Sequence, residues 1–164
     1  MSIKALGFSL IELLAVLAIT LLLLSITVYT FTPFWQQKNL ETRQNDLVNI
    51  IRYAKIMSYN AQNVLYLQPI SPNDWSKGIR LIKNISNFKA DILHEWRWQG
   101  HNISLSWHGF QTAKRLIFAR DIRQASLSGH FILKHLKTHV CRAIIVNRLG
   151  HTRIENCSTI KDMR

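Results

Sequence analysis

Residues 4–31 read KALGFSLIELLAVLAITLLLLSITVYTF, and this stretch decides the first part of the fold. From Leu13 to Gln37 there is no charged residue in 25 positions, and the run is almost wholly apolar as far as Phe31. A helix of this length is long enough to cross the hydrocarbon core of a bilayer. A carboxylate such as Glu12 costs about 2.5–3.5 kcal/mol in that position, so it predicts a functional role and a cationic partner.

Two simpler interpretations of the stretch are a plain membrane anchor and a secretory signal peptide. Ser25-Ile26-Thr27 would be a poor small-x-small cleavage site for a signal peptidase. Neither interpretation explains why a costly carboxylate is kept. The basic flank at Lys4 favours a cytoplasmic N-terminus, with the C-terminal part across the membrane.

The residues from Lys4 to Leu14 resemble the class III leader of type IV pilins and type II secretion pseudopilins. The resemblance implies that a prepilin peptidase cuts between Gly7 and Phe8 and methylates the new amine. Glu12 then becomes the fifth residue of the mature chain. In that family this glutamate is thought to pair with the N-terminal amine of a neighbouring subunit, which neutralises two charges in hydrocarbon at once.

The same resemblance implies three segments and two locations. The segments are a leader (1–7), a transmembrane and assembly helix (8–35) and a periplasmic globular pilin domain (36–164). The protein is expected in the bacterial inner membrane as a single-pass protein, and in a pilus on the cell surface after assembly. Its expected partners are the prepilin peptidase, other pilin subunits and the membrane before assembly.

Beyond the apolar run, helical spacing continues. Apolar residues follow an i, i+3, i+4, i+7 pattern at Leu47, Ile50, Ile51, Ala54, Met57 and Ala61. One helix is therefore predicted from about Leu10 to Asn60, with a kink at Pro33 because proline lacks an N–H. The rest of the chain reads as short strands separated by turns such as Pro69–Asp74. The fold class is α+β, with the long helix packed on antiparallel sheet. The predicted strands are Val64–Leu67, Gly78–Lys83, Leu93–Trp98, Ile103–Trp107, Arg115–Ala119, His130–Lys134, Arg142–Asn147 and Thr152–Glu155.

The order of these elements looks like the FimT/GspH family of minor pilins and pseudopilins, which implies a pilin-like fold. The segments that follow the family's outline are Leu47–Leu67, Trp75–Ile79, Gly129–Phe131 and Ile144–Arg153.

Cys141 and Cys157 are the only two cysteines, and export to the periplasm would allow them to form a disulfide. A three-residue turn at Arg148–Gly150 would place the cysteines directly opposite each other, within disulfide range. Gly150 then stands where such a turn needs a left-handed residue. Two free thiols are the alternative. The register assigns Ile144, Val146 and Ile154 to the core face, and His151, Arg153 and Glu155 to the other face with the disulfide.

The chain is strongly basic, with 21 Lys plus Arg against 9 Asp plus Glu and a net charge of +12. Residues 1–88 carry a net charge of +4 and residues 89–164 a net charge of +8, and all seven histidines lie in the second part. A basic C-terminal half favours polyanions such as nucleic acid, anionic lipid or an acidic protein surface, although general solubility is a simpler explanation.

The C-terminal hairpin carries the predicted DNA site. Rigid arginines suit phosphate because the guanidinium donates two parallel hydrogen bonds. In FimT a Gly-Arg-x-Arg motif binds DNA during uptake, and here the matching residues are Gly150, His151, Thr152 and Arg153. A neutral histidine is a poor phosphate ligand, and protonation below about pH 6.5 improves it. The resemblance implies sequence-independent binding of duplex DNA in natural transformation and competence. The predicted DNA-binding residues are Arg148, His151, Arg153, Arg142, Lys137 and Lys134.

Other functions compete with DNA binding. A structural minor pseudopilin of a type II secretion system, like GspH, or a pilus-priming subunit would carry the same leader. The tryptophans Trp96, Trp98 and Trp107 would stack on unpaired bases or, as strand residues, pack in the core. An enzyme is not expected, because nucleophile-elbow, phosphate-loop and HExxH motifs are missing from the sequence. His135 and His139 lack an evident third metal ligand, so no metal or cofactor is expected.

We expect a Glu12→Ala variant to insert into the membrane and to be missing from assembled filaments, because the neighbouring amine loses its carboxylate. Comparing the variant in membrane and pilus fractions checks this. Normal incorporation into filaments would contradict the role given to Glu12.

Overall fold

The computed structural model describes residues 9–61, 63–86, 89–100, 102–110 and 114–158, without the side chains of residues 26–34, 36, 84–86, 89 and 90. The chain divides into two units, residues 1–38 and 39–164. One helix, α1 (Leu10–Ala61), begins in the first unit and ends in the second. Its ends lie within one residue of the predicted ends, and the helix includes Pro33. The predicted kink stays a prediction.

In the first unit, the helix presents apolar side chains outward. All described side chains from Leu10 to Ser25 are exposed. The hydroxyls of Thr20 and Ser25 donate hydrogen bonds of 2.9 Å and 2.7 Å to backbone carbonyls one turn back, so these polar groups are satisfied inside the helix.

Within the described residues, no helix is long and apolar enough to cross a membrane. The predicted apolar run continues over residues 26–31, whose side chains are not among those described.

In the second unit, α1 packs one face against two sheets. The predicted face from Leu47 to Ala54 is confirmed, since Leu47, Ile51 and Ala54 are fully buried. Ala61, in contrast, is exposed because the helix ends there. Ser58 is also buried on this side, and its hydroxyl donates a 2.9 Å hydrogen bond to the carbonyl of Lys55. A hydroxyl can be buried without penalty when it is bonded in this way.

All eight predicted strands are present and every pairing between them is antiparallel. The first sheet has the order β3-β2-β1-β5 and the second has the order β4-β6-β7-β8. The strands are β1 (Leu65–Ser71), β2 (Asp74–Ser86), β3 (Lys89–Arg97), β4 (Ile103–Gly109), β5 (Leu116–Phe118), β6 (Gly129–His135), β7 (Cys141–Val146) and β8 (Thr152–Asn156).

The turn between β1 and β2 is shorter than predicted. The sequence predicts a turn over Pro69–Asp74, but β1 runs to Ser71 and only Pro72 and Asn73 form the turn. Asn73 adopts φ 62°, a left-handed conformation that asparagine tolerates better than most residues. The two sheets are linked by Ser76, whose hydroxyl accepts a 2.9 Å hydrogen bond from the Leu105 N–H.

The core lies between α1 and the two sheets. Both sheets contribute fully buried side chains, such as Leu67 and Phe118 from the first and Phe131 and Ile144 from the second. Buried and less buried residues alternate along each strand because successive side chains point to opposite faces of the sheet. The strands can therefore be predicted from the alternation of apolar and polar residues in the sequence.

The predicted register of the last hairpin is confirmed. β7 and β8 pair Ile145 with Arg153 and Arg142 with Asn156, and Cys141 and Cys157 form a disulfide with a Cα–Cα distance of 5.6 Å. The prediction that Ile154 lies in the core is wrong. This residue faces the same side as buried Ile144 but is 44% exposed, because β8 is the edge strand of its sheet.

We expect a Cys141→Ser/Cys157→Ser variant to lose about 3 kcal/mol in free energy of unfolding, the value for a closed loop of this length. Urea unfolding of the full chain in detergent, followed by tryptophan fluorescence, measures the difference. Reductant should lower the stability of the wild type by the same amount and leave the variant unchanged. A variant as stable as the wild type would contradict the expected contribution.

Candidate nucleic-acid interface

The six side chains predicted to bind DNA do not form one patch. They divide between the two ends of β7, which are about 17 Å apart for a six-residue strand. The expected extension of the hairpin site toward the β6–β7 turn is therefore not found, although the DNA-binding role of each residue stays a prediction. Lys134, Lys137 and Arg142 lie at the disulfide end, and Arg148, His151 and Arg153 lie at or beside the β7–β8 turn.

At the disulfide end, the cations are dispersed. Arg142 lies on the same face of β7 as the buried residues Ile144 and Val146, and it is half-buried. Its Nη1 donates a hydrogen bond to Oδ1 of Asn156. Lys134 lies opposite Cys141 on the other side of the sheet, and Lys137 is exposed in the turn. Because they point in different directions, these side chains do not converge on a single anion.

Arg153 forms an ion pair with a neighbour. Its Nη2 lies 2.7 Å from Oε1 of Glu155, two residues along the same strand and on the same face. A phosphate would have to compete with this carboxylate for the guanidinium. Two residues match the FimT motif, Gly150 and Arg153. Gly150 occupies the left-handed position of the turn, and Arg153 is paired with Glu155.

The β7–β8 turn is held rigidly by its own backbone. The side-chain oxygen of Asn147 accepts 2.9 Å hydrogen bonds from the N–H groups of Leu149 and His151, and Gly150 donates to the Asn147 carbonyl at 2.9 Å. Gly150 has φ 74°, as the turn requires. Arg148 and His151 are therefore presented from a fixed frame.

α1 lies directly beside this turn. Val48, Arg52, Lys55 and Ile56 of the helix line a cavity of about 550 Å³ together with His151. Tyr59, Asn60, Gly150 and Thr152 complete its lining. The helical spacing of Arg52, Lys55 and Tyr59 places all three on the side of α1 that faces the turn.

A second, smaller cavity adjoins the first. It has a volume of about 220 Å³ and shares Lys55, Tyr59 and His151 with the larger one, while Arg120 and Arg148 join its lining. The guanidinium of Arg120 lies 5.4 Å from the centre of the Tyr59 ring, a cation–π contact.

We call the five basic residues around the two cavities the tip cluster. No Asp or Glu occurs among the described residues that line either cavity, and none of the five forms an ion pair within the described ranges. Such a concentration of unbalanced positive charge favours an anionic ligand. The members are Arg52, Lys55, Arg120, Arg148 and His151.

Sequence reasoning misses three members of the tip cluster. The helical pattern places Arg52 and Lys55 off the apolar face of α1, and Arg120 directly follows a predicted strand. Their spacing on α1 is visible, but nothing local in the sequence indicates that this side of the helix adjoins a turn about 90 residues later.

Of the residues expected to act in assembly, only Glu12 is described. It is exposed in the first turn of α1, where its negative charge interacts favourably with the helix dipole. Gly7 and Phe8 lie outside the described residues.

The tryptophans and histidines elsewhere are partly or wholly used in packing. Trp107 is buried in the core, and Arg43 covers Trp98 at 4.5 Å while its Nη2 donates a 3.3 Å hydrogen bond to the Gln99 carbonyl. Burial lowers the pKa of the Arg43 guanidinium, and nearby Asp46 opposes that change. His135 is also buried, and its Nδ1 accepts from the Thr138 N–H at 3.2 Å.

Comparison with known proteins adds the fold relationship. No family model matches the chain. No curated protein matches it either. Two crystal structures of the type IV minor pilin FimU from Pseudomonas aeruginosa PAO1 do resemble it. The first has a TM-score of 0.60 at 16% identity, covering 76% of this chain and 94% of FimU. This chain has the fold of a type IV minor pilin.

The second FimU structure, from another crystal form, gives the same result, with a TM-score of 0.55 at 17% identity over 72% of this chain and 94% of that one. The minor-pilin fold confirms the predicted α+β architecture of a long helix on antiparallel sheet. At this level of identity the likeness is one of fold, and it does not single out the FimT branch.

Proposed function

We propose that this protein is a minor type IV pilin, without catalytic activity, that assembles into a pilus and binds extracellular DNA irrespective of sequence, in support of DNA uptake during natural transformation. The minor-pilin fold supports the assembly half of the proposal. The tip cluster supports the DNA-binding half, because it gathers five cationic or protonatable side chains at one place without a carboxylate among the described residues that line it.

Assembly would begin with a prepilin peptidase that cleaves between Gly7 and Phe8 and methylates the new amine. The exposed apolar side chains of α1 from Leu10 to Leu24 would lie in the inner membrane before assembly and against other pilin subunits afterwards. Their removal from water gives a favourable free energy in either location. Glu12 would form an ion pair with the N-terminal amine of the neighbouring subunit, and this pair would set the position of each new protomer.

DNA binding would depend on contacts to phosphate rather than to bases. Arginine and lysine neutralise phosphates and release condensed counterions, which gives affinity without sequence information. Arg148 is exposed on the rigid turn, Lys55 of α1 lines the smaller cavity with it, and Arg52 lines the adjoining larger cavity. Since Arg153 is paired with Glu155, it would contribute less than the FimT motif implies.

The single observation that carries DNA binding is the unbalanced charge of the tip cluster. A structural subunit of a pilus or of a type II secretion system would account equally well for the fold and the apolar helix. It would give no reason to gather Lys55, Arg120 and Arg148 around one cavity, since clustered like charges destabilise the folded state.

We expect an Arg148→Gln/Lys55→Gln variant to bind DNA at least tenfold more weakly, because each charge-assisted hydrogen bond that it removes contributes about 1.5–3 kcal/mol. The slope of log affinity against log salt should become shallower by about 0.9 for each duplex phosphate that the variant no longer neutralises. Fluorescence anisotropy of a labelled duplex with the full chain in detergent measures both quantities.

The matched control is Arg142→Gln/Lys137→Gln, which removes the same charge at the disulfide end. It should keep most of the affinity if the tip cluster is the site. An equal loss of affinity in both variants would mean that binding depends on net charge and not on the tip cluster. Absence of DNA binding by the wild type at low salt would contradict the DNA-binding half of the proposal and leave only a structural role in the pilus.

A further inference from the structure

We propose that the groove between α1 and the β7–β8 turn takes an unpaired stretch of DNA, with a base stacked on Tyr59 and phosphates on the neighbouring cations. This inference rests on the proposed function and names the form of DNA that the site accepts. The groove comprises the two adjoining cavities, which share Lys55, Tyr59 and His151.

The α1 side of the groove carries apolar and aromatic side chains that are open to solvent. Tyr59 is 62% exposed and Ile56 is 53% exposed, with Val48 beside them. In a duplex the flat faces of the bases are stacked inside the helix, so they cannot stack on the Tyr59 ring. An unpaired strand presents the faces of its bases, and every base can stack on an aromatic ring.

Both elements that line the groove supply cations. Arg52 and Lys55 come from α1, and Arg148 comes from the turn beside the protonatable His151. A positively charged groove that follows the backbone, combined with aromatic rings for the bases, is the arrangement that binds single strands without sequence preference.

The ring of Tyr59 is placed so that a base can stack on it. Arg120 lies 5.4 Å from its ring centre and restrains one side of the ring, and the 62% exposure leaves room for a base on the rest. A guanidinium beside the ring also adds a cation–π contribution to stacking.

The size of the groove agrees with this form of DNA. The larger cavity measures about 550 Å³, in the range of sites that hold a small ligand, and the adjoining cavity adds about 220 Å³. A double helix is about 20 Å wide and is too large to enter such an opening.

An anionic lipid also combines phosphate with apolar surface. The walls favour the nucleic acid, because Asn60 and Thr152 line the larger cavity with polar groups that can hydrogen-bond the edges of bases. Acyl chains would offer those groups no hydrogen bonds, at a cost in free energy.

The test compares a labelled single strand of 20 nucleotides with a duplex of the same sequence, using the full chain in detergent at one salt concentration. A Tyr59→Ala variant should bind the single strand about fivefold to a hundredfold more weakly, the effect of losing one base–aromatic stack, and should bind the duplex as the wild type does. Tyr59→Phe should restore single-strand binding because the ring is kept.

The matched control is Tyr53→Ala, which removes another exposed tyrosine of α1 from a different cavity, beside His94 and Trp96. It should leave both affinities unchanged. Circular dichroism and melting of each variant in the same detergent separate a loss of binding from a loss of folding.

The outcomes distinguish this inference from the proposed function. Duplex binding that needs Arg148, together with no effect of Tyr59→Ala on the single strand, would overturn the inference and leave the function. Absence of binding to either form would overturn both. Binding to phosphatidylglycerol vesicles that is lost in Tyr59→Ala, together with a single-strand affinity that does not depend on Tyr59, would overturn the inference and assign the groove to lipid.

Discussion

The close approach of the β7–β8 turn to α1 at Gly150 is the contact on which the candidate site depends. A Cβ at this position would lie 3.3 Å from Cδ1 of Leu127 and 3.4 Å from Cδ of Lys55, and the first of these distances is tighter than most side chains tolerate. The left-handed φ of 74° adds a second reason for glycine. Without this approach, Arg148 and His151 would be separated from the cations of the helix, and neither cavity would have its second wall.

The hairpin itself can be predicted from the sequence because its constraints are local. The turn residues Arg148–Gly150 and the two cysteines independently indicate one register, and the structure has that register. The exposure of Ile154 is not predictable in the same way. Alternation assigns a residue to a face, but whether that face is covered depends on the position of β8 at the sheet edge, which the tertiary packing decides.

Proximity in the sequence does not predict which basic residues form the candidate site. Three predicted cations are close to the β7–β8 turn in sequence but lie at the other end of β7, six residues away along the strand. They are Lys134, Lys137 and Arg142. Arg52 and Lys55 are about 90 residues from the turn and lie beside it. Helical periodicity determines which face of α1 is buried, and it contains no information on which turn lies against the neighbouring side.

The cations of strands β7 and β8 have polar partners and those of the tip cluster have none among the described residues, and this difference favours an anionic ligand at the tip cluster. Arg153 has Glu155 and Arg142 has Asn156, so these cations are satisfied within the hairpin. The tip cluster has no such compensation among the described residues, and its mutual repulsion opposes folding. The buried core and the disulfide have to offset that repulsion in the free protein. A bound polyanion would remove it, so the folded state would become more stable as phosphates supply the negative charge that the tip cluster lacks.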